Sequence, residues 1–120
     1  MILITGSTGY IGSHLCYYLR KKKIKFVGMD NLSYSYKSNI NQKANHFFFD
    51  ISSKKKVYQL IKEYNVDIVI HAAAFSYVLE AEKEKKKYFL NNVTKTKKFI
   101  DICKKAKIKK FIFFSSSNVY

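Results

Sequence analysis

The apolar residues Met1-Ile2-Leu3-Ile4 run without a break into Thr5-Gly6-Ser7-Thr8-Gly9-Tyr10-Ile11-Gly12-Ser13-His14-Leu15. An apolar run, a glycine turn, and then Ile11, Leu15 and Leu19 at four-residue spacing mark a strand that passes directly into a helix. In such a turn, backbone N–H groups and a helix start face outward together, which is the geometry that holds a pyrophosphate. Gly6, Gly9 and Gly12 form G-x-x-G-x-x-G, one residue longer than the common G-x-G-x-x-G. The first glycine allows the sharp turn, the second lets phosphate approach the backbone, and the third lets the helix pack on the sheet. A second apolar run, 24–29, ends at Asp30. A carboxylate there accepts both ribose hydroxyls of adenosine and repels a 2′-phosphate, which predicts NAD as cofactor over NADP.

Strand-like runs recur at 1–5, 24–29, 46–50, 66–72 and 110–115, separated by helical patterns at 11–21, 53–64 and 86–105. Ser53 is expected to cap the second helix, with Val57, Leu60, Ile61 and Tyr64 on one face. Phe89, Val93, Thr96, Ile100 and Cys103 are expected to form one buried stripe along the third. The continuous apolar runs Ile68-Val69-Ile70 and Phe111-Ile112-Phe113-Phe114 suit strands covered on both faces. This alternation predicts an α/β fold with a doubly wound, Rossmann-like parallel sheet of order 3-2-1-4-5. It is read as one domain, 1–120, in which the C-terminal part of the fold is missing. In that topology the ligand crevice lies between the ends of the first and fourth strands. Residues 6–12, 72–75 and 115–117 should therefore open onto one site, with the polar, tyrosine-rich loop 31–45 as a rim.

Composition bounds the alternatives. At 120 residues and 48% hydrophobic, the chain can bury one core. No apolar run approaches membrane-spanning length and no export signal is seen, so no membrane association and a cytoplasmic location are expected. Cys16 and Cys103 fall on apolar helix positions and read as core residues, with no metal site. The net charge of +15 raises the question of nucleic acid, but Arg20 is the only arginine among 23 basic residues. Lysine attracts phosphate diffusely and seldom reads base edges. The lysine clusters are spread along helices and loops, so solvated helix faces are expected and no specific nucleic-acid partner.

Further candidates sit at strand ends. Asp50 and Ile51 can frame adenine, although Asp50 also suits a helix cap. Small Ala72, Ala73 and Ala74 let a dinucleotide lie against backbone, while His71 reads as a satisfied strand histidine. Asn91 and Asn92 are poor helix formers inside a helical pattern, and a buried asparagine there can bond the loop after the fourth strand and order a nicotinamide pocket. Ser115-Ser116-Ser117-Asn118-Val119-Tyr120 leave the fifth strand, where a serine can bond a sugar hydroxyl.

Taken together, TGSTGYIGSHL, DNLSYSYKSN, the Asp50-Ile51 pair, VDIVIHAAA, NNV at 91–93 and KKFIFFSSSNVY resemble the N-terminal part of the extended short-chain dehydrogenase/reductases. The NAD-dependent epimerase/dehydratase family is the nearest, and within it the UDP-glucose 4-epimerases. The resemblance implies NAD contacts at Tyr10 and Ile11, at Asp30, Asn31, Leu32, Ser33 and Ser35, at Asp50 and Ile51, at Ala72, Ala73, Ala74, Phe75 and Ser76, and at Asn91. It implies Ser116 as the catalytic serine, a UDP-hexose substrate oxidised transiently at C4, and a homodimeric full-length relative. The family's general-base Tyr-x-x-x-Lys pair lies beyond residue 120, so the chain is expected to be an inactive piece of an epimerase. Ser76 stands where these epimerases carry a lysine, and Lys85 where a proline is usual. Nucleotide-sugar 4,6-dehydratases carry an Asp-Glu pair where this chain has Ser117 and Asn118, which favours epimerisation. Other UDP-sugar 4-epimerases and a non-catalytic dinucleotide sensor remain as alternatives.

Overall fold

The computed structural model describes residues 1–40 and 45–115. The strands are β1 (Ile2–Thr5), β2 (Phe26–Asp30), β3 (Asn45–Phe48), β4 (Ile68–His71) and β5 (Lys110–Phe113). All pair in parallel, in the order β3-β2-β1-β4-β5, as expected. Helix α1 (Tyr10–Lys21) joins β1 to β2, and α2 (Lys54–Glu63) joins β3 to β4. The connection from β4 to β5 begins with α3 (Val78–Lys83), continues through α4 (Lys85–Phe89) and the π-helical turn Leu90–Lys95, and ends with α5 (Thr96–Lys105).

Alternating strand side chains divide the core into two layers. Leu3, Val27, Met29 and Val69 face Val57, Leu60 and Ile61 of α2 and Phe99, Ile102 and Cys103 of α5. Ile4, Phe26 and Ile70 face Cys16 and Leu19 of α1. Both cysteines are buried and free, and burial pushes each thiol up to about 12, so they act as core side chains. The lysines of α2 and α5 occupy exposed helix faces.

Three helices end alike, and this sets where the strands begin. Lys23, Asn65 and Lys107 adopt positive φ of 57°, 50° and 60° just past α1, α2 and α5. The next residue then folds back: Ile24 N–H bonds Leu19, Val66 bonds Ile61, and Ile108 bonds Cys103. That is a Schellman closure, with Val66 buried behind it and Ile24 exposed. Ile24 and Val66, expected in strands, therefore belong to helix ends, and β2 and β4 start two residues later.

Three other expectations are corrected. Ser53 stands at the N-cap of α2 but makes no capping side-chain bond. The buried stripe of the β4–β5 connection is Tyr88, Asn91, Thr96, Phe99, Ile102 and Cys103, while Phe89 and Val93 are exposed. The π-turn adds a residue to one helical turn and rotates the phase of everything before it relative to α5. Finally, β5 is not covered on both faces: Ile112 and Phe113 are 48% and 55% exposed. β5 is the edge strand of the described sheet and takes its cover from α5, through Phe111 against Phe99.

Candidate functional site

The glycine turn is built by close backbone packing. Gly6 has φ +70°, and a Cβ there would lie 2.7 Å from the Ala72 carbonyl oxygen. A Cβ on Gly12 would lie 1.9 Å from the Gly6 oxygen, so α1 reaches this close to β1 only through glycine. Gly9 differs. A Cβ there would meet one atom, the Gly6 oxygen at 3.3 Å, so the position is less crowded than Gly6 or Gly12 though still tight. Gly9 stands at the N-cap of α1, where no side chain caps the helix and no acid occupies the first turn. The first N–H groups of α1 keep the orphan donor capacity of a helix start, complementary to a pyrophosphate. Tyr10 and Ile11 stand exposed at this end, with Tyr10 against the His14 ring at 4.6 Å.

Asp30, at the end of β2, ties the turn to its own loop. One carboxylate oxygen accepts Thr8 N–H at 3.1 Å and the other accepts Leu32 N–H at 2.8 Å. Each oxygen retains a lone pair, so the ribose contacts expected of Asp30 stay open. Leu32 sits at φ +61°, a conformation leucine seldom adopts, held by that bond. Asn31 accepts both Ser33 N–H (3.0 Å) and Ser33 Oγ–H (2.7 Å). Ser35 and Thr8 share a side-chain hydrogen bond, and Asn39 Nδ2 donates to the Thr8 carbonyl at 2.9 Å. Thr8 and Ser7 are fully buried, with Ser7 bonded to His46 Nδ1 at 3.1 Å.

Beyond β3, the Asp50 carboxylate is crowded with donors. Ser52 N–H and Oγ–H bond one oxygen at 2.9 and 2.7 Å, while Lys95 Nζ (2.7 Å) and Asn31 Nδ2 (3.3 Å) reach the other. Burial raises the Asp50 carboxyl, but the bonds from Lys95, Ser52 and Asn31 outweigh it and hold the group at about 2. Ile51 beside it is buried. On the other wall, Ala72 N–H extends the ladder to Thr5 O, and Ala72 and Ala73 backbone packs on Gly6. Ala74 and Ser76 are exposed, and Phe75 is gripped at both ends of its backbone. Asn92 Oδ1 accepts Phe75 N–H at 2.8 Å and Asn92 Nδ2 donates to Phe75 O at 2.9 Å. Asn91 is buried and reaches this loop indirectly, donating to Asn92 Oδ1 at 3.0 Å.

The π-turn thus supplies Asn92 to the β4 wall and Lys95 to the β3 wall. Hydrogen bonds join Asn92 to Phe75 on one wall, and Thr8 to Asp30 and both Asn31 and Lys95 to Asp50 on the other, with Gly6 packed on Ala72 between them. The candidates before and after β2, after β3 and after β4 are therefore brought to one edge of the sheet. His46 and Lys95 were not visible as site residues in the sequence, and Ser7, Thr8 and Asn39, inside the expected turn and rim, were not singled out. Small polar residues and a lysine among many carry no periodic signal.

His71 is a structural residue, as expected. It is 1% exposed, with Thr5 Oγ1 2.7 Å from Nδ1 and Thr96 Oγ1 3.3 Å from Nε2. Burial lowers it to about 4. Phe113 pairs with His71, and Phe114 N–H bonds His71 O, so the chain leaves β5 beside Ala72. Ser116, Ser117, Asn118 and Tyr120 lie outside the described residues. The spacing Tyr-x-x-x-Lys does occur within the chain, at Tyr17/Lys21, Tyr18/Lys22 and Tyr58/Lys62. The first two pairs lie at the C-terminal end of α1, which crossover geometry places at the opposite edge of the sheet, and the third lies along α2. Among the described residues, no group of three or more metal-ligating side chains occurs and no helix is long and apolar enough to cross a membrane.

Residues 2–120 match the model of the NAD dependent epimerase/dehydratase family. The chain is 38% identical to a dTDP-D-glucose 4,6-dehydratase of Dictyostelium discoideum, covering 99% of itself and 29% of that protein. It is 32% identical to a UDP-glucose 4-epimerase of Klebsiella pneumoniae, covering 99% of itself and 91% of that sequence. The crystal structure of UDP-glucose 4-epimerase from Brucella ovis in complex with NAD superposes with a TM-score of 0.93 at 32% identity, over 99% of this chain and 36% of that one. With its five-stranded parallel sheet and glycine turn, the chain belongs to the NAD-dependent epimerase/dehydratase family.

Proposed function

We propose that the chain binds NAD across the C-terminal edge of its sheet and contributes that cofactor site to a nucleotide-sugar epimerase, most specifically a UDP-glucose 4-epimerase. The observation that carries this reading is the glycine turn from Gly6 to Gly12, closed by backbone packing at Gly6 and Gly12. It stands at an uncapped helix start and is joined through Thr8 to an acid placed for ribose. Gly6, Gly9, Tyr10, Ile11 and Gly12 would hold the pyrophosphate. Asp30, Asn31, Leu32, Ser33 and Ser35 would hold the adenosine ribose, and Asp50 and Ile51 would border adenine. Asp50 does so as a fixed, ionised acceptor, because its donors hold it in place. Ala72, Ala73, Ala74, Phe75, Ser76 and Asn91 would line the nicotinamide half, ordered by Asn92.

When bound, NAD would supply reversible hydride transfer at C4 of the sugar. In this reading Ser116 holds the C4 oxygen. The general-base tyrosine and its lysine do not follow Ser116 within these 120 residues, so the chain alone binds cofactor without turnover. The identity to the Dictyostelium dehydratase supports a second reading, sugar 4,6-dehydration. Ser117 and Asn118 oppose it, since neither carries out the acid–base step of water loss.

Calorimetry of the chain with NAD and NADP tests the cofactor reading. NAD should bind and NADP should bind at least about tenfold more weakly, and Asp30→Asn should erase most of that difference. Absence of NAD uptake by folded protein overturns the reading. Interconversion of UDP-glucose and UDP-galactose by the chain alone would overturn its proposed inactivity, and release of a 4-keto-6-deoxy sugar would favour the dehydratase.

A further inference from the structure

We propose that Tyr34 and Glu80 are positioning residues whose contact braces the two walls of the crevice together and slows exchange of the bound dinucleotide; this rests on the NAD reading above. Tyr34 lies four residues past the end of β2, and Glu80 is the third residue of α3, on the chain that follows β4. Because β1 lies between β2 and β4, a bond between them spans the end of β1 and the glycine turn.

The Tyr34 phenol stands 2.8 and 2.7 Å from the two Glu80 carboxylate oxygens and donates to either. Lys87 Nζ donates to one of those oxygens at 2.7 Å and Tyr88 O–H to the other at 2.8 Å. These three donors hold the Glu80 carboxyl at about 2, so it remains an ionised acceptor at ordinary pH. The Tyr34 ring meets Phe75 edge-on at 4.7 Å and Tyr77 at 5.3 Å. Lys87 Nζ lies 5.1 Å from the Tyr34 ring centre and 5.6 Å from that of Phe75.

Both ends of the brace are anchored in the candidate site. Phe75 is held by Asn92, and the Tyr34 loop is stapled to the glycine turn through Ser35 and Thr8. No bond here is strong singly, because the group is exposed to solvent. Together they must break at once if the walls are to part, and a dinucleotide lying over β1 leaves only when they part. The brace therefore acts on the rate of exchange more than on the final affinity.

Stopped-flow displacement of NADH by excess NAD, read by nicotinamide fluorescence on the chain itself, tests this. Tyr34→Phe keeps the ring and loses the phenol bond. It and Glu80→Gln should each speed release about fivefold. The double variant should fall short of the product of the two single effects, because the Tyr34 contact is shared between them, while Glu80→Gln also weakens the bonds of Glu80 to Lys87 and Tyr88. Tyr34→Ala, which also loses the ring contacts, should be faster still. Unchanged release in the single variants, or effects that multiply in the double, overturns the brace. Amide exchange of the unliganded protein is the independent readout: residues 31–36 and 75–80 should exchange faster in Tyr34→Phe while its melting temperature stays near that of the parent. Parent protein that takes up no NADH removes the cofactor reading and the exchange claim together. Uptake with unaltered release removes the brace alone.

Discussion

Acidification isolates the contribution of one buried side chain. His71 sits at the end of β4 among Phe99, Phe111 and Phe113, with ring centres 5.3 to 5.8 Å away. Thr5 Oγ1 accepts Ala73 N–H at 3.4 Å, so its own O–H is free to donate to His71 Nδ1, leaving Nε2–H to donate to Thr96. Every polar atom is satisfied in this neutral tautomer. A second proton would have to enter Nδ1 against the Thr5 hydroxyl, inside a layer of aromatic rings. Burial accordingly lowers His71 from 6.5 to about 4. The unfolded chain takes up the proton near pH 6.5 and the folded chain only near 4, so the unfolded state binds more protons between those values. Stability is complete above pH 6.5 and falls as the pH drops through the window. At about 1.36 kcal/mol per pH unit the loss reaches ~3 kcal/mol, a large part of the ~5–15 kcal/mol of a domain.

His46 is lowered by burial too and adds to the same window, so His46→Asn is the background for the measurement. Asp50 and Glu80, both held at about 2, lose their contributions only as the pH falls below the ordinary carboxylate range. The assay is urea unfolding by circular dichroism at pH 7.5, 6.5, 5.5 and 4.5, with the His71 ring protons followed by NMR. The urea midpoint should fall steadily from pH 6.5 to 4.5. A flat midpoint, or a His71 ring that titrates near 6.5, refutes the buried neutral imidazole.

Gly12→Ala forces a methyl into the Gly6 carbonyl and should destabilise by ~3 kcal/mol or more, read as a lowered urea midpoint with weakened NAD binding. Asn92→Ala removes both bonds to Phe75 and should cost ~1–3 kcal/mol while lowering NAD affinity about tenfold by calorimetry. Asn92→Asp should recover part of this through the retained acceptor for Phe75 N–H. Lys95→Met should let the Asp50 carboxyl rise toward its usual range, seen by NMR titration. Much of the ~1 kcal/mol that Asp50 contributes above that range would then be missing at neutral pH, leaving a shallower acid loss than in the parent.

Most of the fold and one wall of the site were legible in the chain before any tertiary contact was known. The glycine turn, the acid after the second apolar run and the alternation of apolar runs with helical patterns are local features, set by sterics and by side-chain period. They suffice for the parallel sheet, its strand order and the convergence of loops at one edge. The π-turn was not legible, because a period of 3.6 carries no mark of the one residue that slips it. That slip buries Asn91, exposes Phe89 and Val93, and turns Asn92 and Lys95 toward opposite walls. Nor were strand starts at Phe26 and Ile68 legible, since Ile24 and Val66 look like strand residues until their N–H groups are seen closing a helix. Contacts between residues 46 apart, such as Tyr34 with Glu80, exist only once the sheet brings β2 and β4 to either side of β1. Hydrogen bonds at that separation follow from topology, and a side chain's choice of partner is made by whatever the fold delivers within reach.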